Sequence, residues 1–293
     1  MNPCDETPAV GPIRSESGAA STGPGSRRVL VAEDNPINQQ VVCAQLRLIG
    51  ADAVVAADGE AALARWREGG FALLLTDLQM PKMDGYQLAR SIRSEERAPT
   101  RIPIIALTAN SLEDESRRCR AAGMDDYLVK PVGLVALQAA LERWMGRGGP
   151  SLSQAPTTQL SGFHRPRPDA REAVETSVLA SLVGDDPEGL AALLGEFAVS
   201  AAQSAAELSL AAGRGDHGAA GFIAHRLKGA ARTVGAIRLG NLCAHVESAT
   251  ARSDDVGFAA SLALLQLEVV AVREWIAAPS RSKAATEAAD HVR

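Results

Sequence analysis

The chain has 293 residues, a net charge of −5, 46% hydrophobic residues and scattered basic residues. Its length suits two domains of roughly 100–200 residues each. With no basic patch or stripe, a nucleic-acid-binding protein is excluded. The cysteines Cys4, Cys43, Cys119 and Cys243 lie far apart without metal spacing, so they read as reduced thiols of a cytoplasmic protein.

In chain order, residues 1–26 are rich in Gly, Pro, Ser and Thr and lack an apolar h-region, which predicts a disordered leader rather than a secretory signal. From 27 to 146 short apolar runs alternate with helical patterns. "RVLVA" (28–32) reads as a strand. "PINQQVVCAQLRLIG" reads as a helix opened by proline and closed by glycine. "DAVVAA", "FALLLTD" (71–77), "IPIIALT" (102–108) and "DDYLVK" are further strands, and "DGEAALARWREGG", "DGYQLARSIRS", "SLEDESRRCRAAG" and "LVALQAALERWM" further helices. The alternation predicts an α/β doubly wound domain with a parallel sheet covered on both faces. Residues 147–171 carry Gly, Pro, Ser and Gln without apolar periodicity and read as a flexible linker. Residues 172–278 hold only helical patterns, which predicts an all-α helix bundle. The tail 279–293 is polar. The longest apolar stretch, "SLALLQLEVVAVREWIAA", is interrupted by Glu268, Arg273 and Glu274, so no membrane span is expected.

In a doubly wound sheet the ligand site lies beyond the carboxyl ends of the strands. There the strands deliver Glu33 and Asp34, Asp77, Thr108 and Lys130. Three carboxylates at one rim repel each other unless a cation sits among them, and an all-oxygen set suits Mg²⁺. A carboxylate in such a site can act as a nucleophile toward phosphorus, and the cations would balance the phosphoryl oxygens. Asp58 and Asp84, each before a glycine, read instead as helix caps. Asp125 and Asp126 lie at the opposite sheet end and read as solvated.

The second chemical signal is "AHRLKGAARTVGA". On a helix His225, Lys228, Gly229 and Arg232 fall at i, i+3, i+4 and i+7 and share one stripe. Imidazole is partly neutral and nucleophilic near pH 7, Lys228 and Arg232 can balance a dianion, and Gly229 leaves room for a partner. His164, His217, His245 and His291 read as ordinary surface or core residues.

"VLVAEDNPINQQV", "LLLTDLQMPKMDGYQLARSIR", "IPIIALTAN" and "AGMDDYLVKPV" resemble the receiver domain of two-component response regulators, over about 28–146. The resemblance implies a flavodoxin-like five-stranded sheet in order 2-1-3-4-5 with Asp77 as phosphoacceptor. It implies Mg²⁺ held by Asp34, Asp77, the backbone carbonyl of Gln79 and, through water, Glu33. Thr108 and Tyr127 would switch together on phosphorylation, and the Lys130–Pro131 bond would be cis. "AHRLKGAA" followed by "GA…L…C…E" resembles a histidine-phosphotransfer (HPt) domain, over about 175–277. That implies a four-helix bundle with an exposed phosphoacceptor His225, assisted by Lys228. The pair resembles the C-terminal end of hybrid sensor histidine kinases.

The expected function is therefore phosphorelay, without autonomous kinase activity. The implied partners are a histidine kinase upstream and a response-regulator receiver downstream. The chain is either free-standing or a truncated portion of a hybrid kinase. A linker of ~25 residues spans roughly 25–30 Å, enough for His225 to reach Asp77 within one chain. Two other readings fit less well. A Mg²⁺-dependent aspartyl-phosphate hydrolase needs a second Asp where Gln79 stands, and a DNA-binding regulator needs a basic recognition helix.

Overall fold

The computed structural model describes residues 28–97, 100–109, 113–145 and 172–278. The leader, the linker and the tail expected from sequence lie outside the described residues.

Five strands, β1 (Arg28–Ala32), β2 (Asp52–Ala56), β3 (Leu73–Asp77), β4 (Ile104–Thr108) and β5 (Asp126–Val129), form one parallel sheet in the order β2-β1-β3-β4-β5. Helices α1 (Pro36–Ile49), α2 (Gly59–Glu68), α3 (Gly85–Glu95), α4 (Glu113–Ala121) and α5 (Leu134–Met145) connect and follow them. The inner strands β1, β3 and β4 are buried from Val29, Leu73 and Ile104 onward and apolar up to the polar residues at their ends, because both their faces are covered. Their period of two splits the core. Val29, Val31, Leu73, Leu75, Ile105 and Leu107 pack with Val42, Leu46, Leu137 and Leu141 of α1 and α5. Leu30, Leu74, Ile104 and Ala106 pack on the opposite face with Leu63, Leu88 and Ile92 of α2 and α3.

Local chemistry fixes the helix ends. Asn35 caps α1 by accepting from the amides of Ile37 and Asn38, Pro36 fills the first turn, and Gly50 ends the helix in the left-handed region. Asp58 and Asp84 cap α2 and α3, as expected. Asp125 departs from expectation. It is not solvated: its carboxylate accepts from Arg93, Arg101 and the Ile104 amide, with the side chain only 7% exposed. Two arginines from distant segments converge on it, a pairing that strand-end position alone does not disclose.

The helical part contains α6 (Thr176–Val183), α7 (Pro187–Gly213), α8 (His217–Val234), α9 (Ile237–Ala251) and α10 (Asp255–Ala277). The four long helices close a ring, α7 beside α8, α8 beside α9, α9 beside α10 and α10 beside α7. This is a four-helix bundle around Phe197, Leu208, Leu227, Leu239 and Leu265. The short α6 crosses the end of α8. Gly235 makes that possible: it has φ 85°, and a Cβ there would lie 2.1 Å from the Glu175 carbonyl oxygen.

No membrane span is expected from the sequence, yet two helices of the bundle have the length for one. By length and composition, α7 and α10 are both long and apolar enough to cross a membrane, with mean hydropathy of 1.2 and 1.7 in their most apolar windows. In this fold both helices are sides of the bundle.

The two parts touch through α1. Val42 and Leu46 face the sheet. Ile37 and Val41, on the other side of the same helix, join the buried cluster that holds Leu179, Leu182 and Phe197 of the bundle. Beside this apolar seam, Gln40 donates to Glu196 and the Thr233 hydroxyl donates to Asn38 Oδ1 at 3.0 Å.

Candidate functional site

The sheet rim brings Glu33, Asp34, Asp77 and Lys130 together as the sequence predicts. Asp77 ends β3 and is 7% exposed. Its Oδ2 accepts from Lys130 Nζ at 2.6 Å and its Oδ1 from the Gln79 amide at 3.2 Å. Lys130 also donates to Glu33 Oε2 at 2.5 Å. Glu33 is fully buried, and its Oε1 accepts from Asn38 Nδ2 and the Asn35 amide. Lys130 precedes a cis peptide bond to Pro131.

The electrostatics favour an added cation. Ligand atoms of Glu33, Asp34 and Asp77 all lie within 4.8 Å of one another. Burial, then the charges of Glu33 and Asp77, push the Asp34 carboxyl up to about 7. Burial likewise raises Glu33, although Lys130 pulls it back in part. Burial alone would lower Lys130, but Asp77 and Glu33 outweigh it and hold the ammonium charged. On the receiver side of the site, one ammonium stands against three carboxylates, and Arg226 offsets Asp34 only in part. Asp34 Oδ2 is buried without a hydrogen-bond partner. A buried, unsatisfied carboxylate oxygen among carboxylates matches the oxygen-only donor set that a hard divalent ion takes.

Thr108 and Tyr127 sit differently. Thr108 is buried at the end of β4, one residue beyond Leu107, the register partner of Asp77. Its carbonyl accepts from the Lys130 amide at 2.7 Å. Tyr127 lies opposite Ala106 and is half-buried against the α2–α3 side of the core. Neither lines the pocket that holds Asp77, and neither does Gln79.

The loop after β3 depends on one glycine. Gly85 opens α3 and donates its amide to the Leu78 carbonyl, so the helix start rests on the end of β3. A Cβ at Gly85 would sit 2.1 Å from the Asp77 carbonyl oxygen. Gly85→Ala should therefore displace the Asp77 backbone and destabilise the sheet domain by about 2–3 kcal/mol. Urea unfolding followed by circular dichroism measures this, and an unchanged midpoint would contradict the packing described.

The opposite wall of the pocket comes from α8. His225, Arg226, Lys228, Gly229 and Arg232 line it together with Glu33, Asp34, Asn35, Asn38, Asp77, Ala109 and Lys130. The polar stripe read from spacing is therefore real, but it is not open. His225 is 20% exposed, because the sheet domain covers it. Lys228 is buried, its ammonium paired with Glu247 Oε2. Glu247 Oε1 lies 2.5 Å from His225 Nδ1. Burial pushes the Glu247 carboxyl up, but the hydrogen bonds from His225 and Lys228 outweigh it and leave it below 4.5. A carboxylate at Nδ1 assigns the ring proton to that nitrogen and leaves the Nε2 lone pair free. Gly229 faces α1: a Cβ there would lie 3.4 Å from Asn38 Nδ2, in contact with that side chain.

Sequence reasoning missed several participants. Glu247 lies in the "C…E" part of the quoted pattern, but nothing local gives it a role. Asn35 and Asn38 are given no role by the sequence reading. Asn35 also reaches the Arg226 carbonyl, at 3.3 Å, and Asn38 joins Glu33 to Thr233. Polar residues on an otherwise apolar helix stripe were the available signal.

Comparison with known proteins accords with this geometry. The family described as response regulator receiver domain matches residues 29–142, and the Hpt domain family matches residues 192–275. The chain is similar to the virulence sensor protein BvgS of Bordetella bronchiseptica, 37% identical over 78% of this chain and 18% of that protein. It is also similar to the sensor protein GacS of Pseudomonas syringae, 33% identical over 75% of this chain and 24% of that protein. It thus spans less than a quarter of the length of these relatives. A solved receiver domain of the sensor histidine kinase PA1611 from Pseudomonas aeruginosa, with a coordinated magnesium ion, is 43% identical, covering 41% of this chain and 97% of that one, with a TM-score of 0.38. The chain carries a response regulator receiver domain followed by an Hpt domain.

Proposed function

We propose that the chain passes a phosphoryl group between Asp77 and His225 as a step of a phosphorelay. One observation carries this reading: the two candidate acceptors line a single pocket from opposite walls, with Lys130 on one side and Lys228 and Arg232 on the other.

In the forward step the Nε2 lone pair of His225 attacks the phosphorus of Asp77 aspartyl phosphate. The P–O bond to the carboxylate breaks and a P–N bond forms. Asp77 returns as a carboxylate, and His225 becomes a phosphoimidazolium whose Nδ1 proton stays on the hydrogen bond to Glu247. Glu247 therefore orients the ring and stabilises the charge that develops on it. Lys130 holds Asp77 in position and balances the phosphoryl oxygens on the receiver side. Asp34, Asp77, Glu33 and the Gln79 carbonyl would hold Mg²⁺, which supplies charge neutralisation for the phosphoryl oxygens. Thr108 and Tyr127 are the proposed switch residues of the receiver.

The upstream donor would be a phosphohistidine of a sensor kinase and the downstream acceptor the aspartate of another receiver, all in the cytoplasm. Neither half is proposed to use ATP itself.

Labelling with acetyl phosphate and Mg²⁺, followed by intact mass, tests the assignment. Alkali removes aspartyl phosphate and acid removes phosphohistidine. Wild type should show both forms, Asp77→Asn neither, and His225→Gln only the alkali-labile form. Chelation of divalent cations should abolish labelling. An Asp77→Asn chain that still labels His225 would remove Asp77 from the route.

A further inference from the structure

Helix α10 carries two apolar seams, and the bundle uses one. Phe258, Leu262, Leu265, Val269 and Val272 are buried inward, at spacings of four, three, four and three. The outward seam, Val256, Ala260, Ala263, Leu267 and Val270, repeats the same spacing on exposed positions and ends at Glu274. Val256, Leu267 and Val270 are 82%, 69% and 50% exposed, and Leu264 beside them is 55% exposed. Between Asp255 and Arg273 the only charge on the helix is Glu268, which is turned inward to Arg238. An exposed, uncharged, heptad-spaced seam is the pattern by which one helix pairs with another.

We propose that this seam pairs with α10 of a second copy of the chain, antiparallel about a two-fold axis. The seam is self-complementary in that direction. Ala263 of one copy faces Leu267 of the other, and Ala260 faces Val270, so small residues meet large ones along the middle of the seam, and Val256 meets the aliphatic stem of Glu274 at each end. Charge complementarity gives the direction. Antiparallel pairing sets Arg273 near Asp255 of the other copy, with Glu274 beside it, so each acidic helix start meets an end of no net charge, and the helix dipoles oppose each other. Parallel pairing would set Asp255 against Asp255 and Glu274 against Glu274. A two-fold contact of one patch with itself also closes without further growth. None of the seam residues lines the Asp77–His225 pocket.

Sedimentation velocity of the full chain over a micromolar concentration series tests this. Wild type should sediment as a dimer. Leu267→Glu should weaken it about 100-fold or more, through burial of an unpaired charge, while acetyl-phosphate labelling stays at the wild-type level and shows that the fold is intact. Asp255→Arg and Arg273→Asp should each weaken the dimer, and the double exchange should restore it. A monomer at every concentration overturns the proposal, as does a dimer indifferent to Leu267→Glu. So does a monomer that co-sediments with phosphatidylglycerol vesicles through Leu267, which would assign the seam to a membrane surface.

Discussion

Replacing Lys130 by alanine should cost the receiver about 3–5 kcal/mol of stability and slow phosphorylation at Asp77 by roughly 10²–10³-fold. Lys130 is the cation shared by Glu33 Oε2 and Asp77 Oδ2, inside a site where all three side chains are largely buried. Without it, Glu33 and Asp77 lose the one ammonium that hydrogen-bonds both, and Glu33 stays buried. Lys130→Arg should recover only part of the loss. The guanidinium is planar and larger, and the two carboxylate oxygens converge on a point that suits an ammonium. Thermal unfolding and the initial rate of acetyl-phosphate labelling measure the two effects. Full activity in Lys130→Ala would place the phosphoryl-balancing charge elsewhere.

The second large effect is expected at the domain contact. Ile37→Asp should leave labelling of Asp77 intact and reduce transfer to His225 by about 100-fold or more, because a carboxylate would be buried among bundle side chains without a partner. Ile37 and Val41 are 1% and 4% exposed and pack into the bundle cluster, not the sheet core. The receiver should therefore keep its fold when the contact opens. Val41→Asp should behave alike, whereas Val42→Asp should unfold the receiver, since Val42 faces the sheet. Labelling the variants and separating acid-labile from alkali-labile phosphate distinguishes these outcomes. Equal transfer in Ile37→Asp and wild type would show that the contact through α1 is not the route.

These residues also mark how far the sequence could be read. Strand-end chemistry is short-range: once "LLLTD" is a strand, Asp77 must stand at the rim, and the parallel order then brings Glu33, Asp34 and Lys130 beside it. Helix caps at Asp58 and Asp84 are equally local. The domain contact is not. Ile37 and Val41 lie on the same helix as Val42 and Leu46, and an apolar stripe that serves two cores at once looks like one wide stripe for a single core. Asp125 failed for a related reason, because its partners Arg93 and Arg101 come from other segments. Glu247 is 22 residues from His225, and only the packing of α9 on α8 makes the pair.

Asp77 and His225 are proposed to exchange phosphate within one chain. Rapid-quench measurement of phosphohistidine formation across a protein concentration series tests it most directly. The structure predicts a first-order rate independent of concentration in wild type. It also predicts a far slower, concentration-dependent rate when Asp77→Asn and His225→Gln chains are mixed. A wild-type rate that rises in proportion to concentration and matches the mixed variants would contradict it, and would make each domain the partner of another molecule.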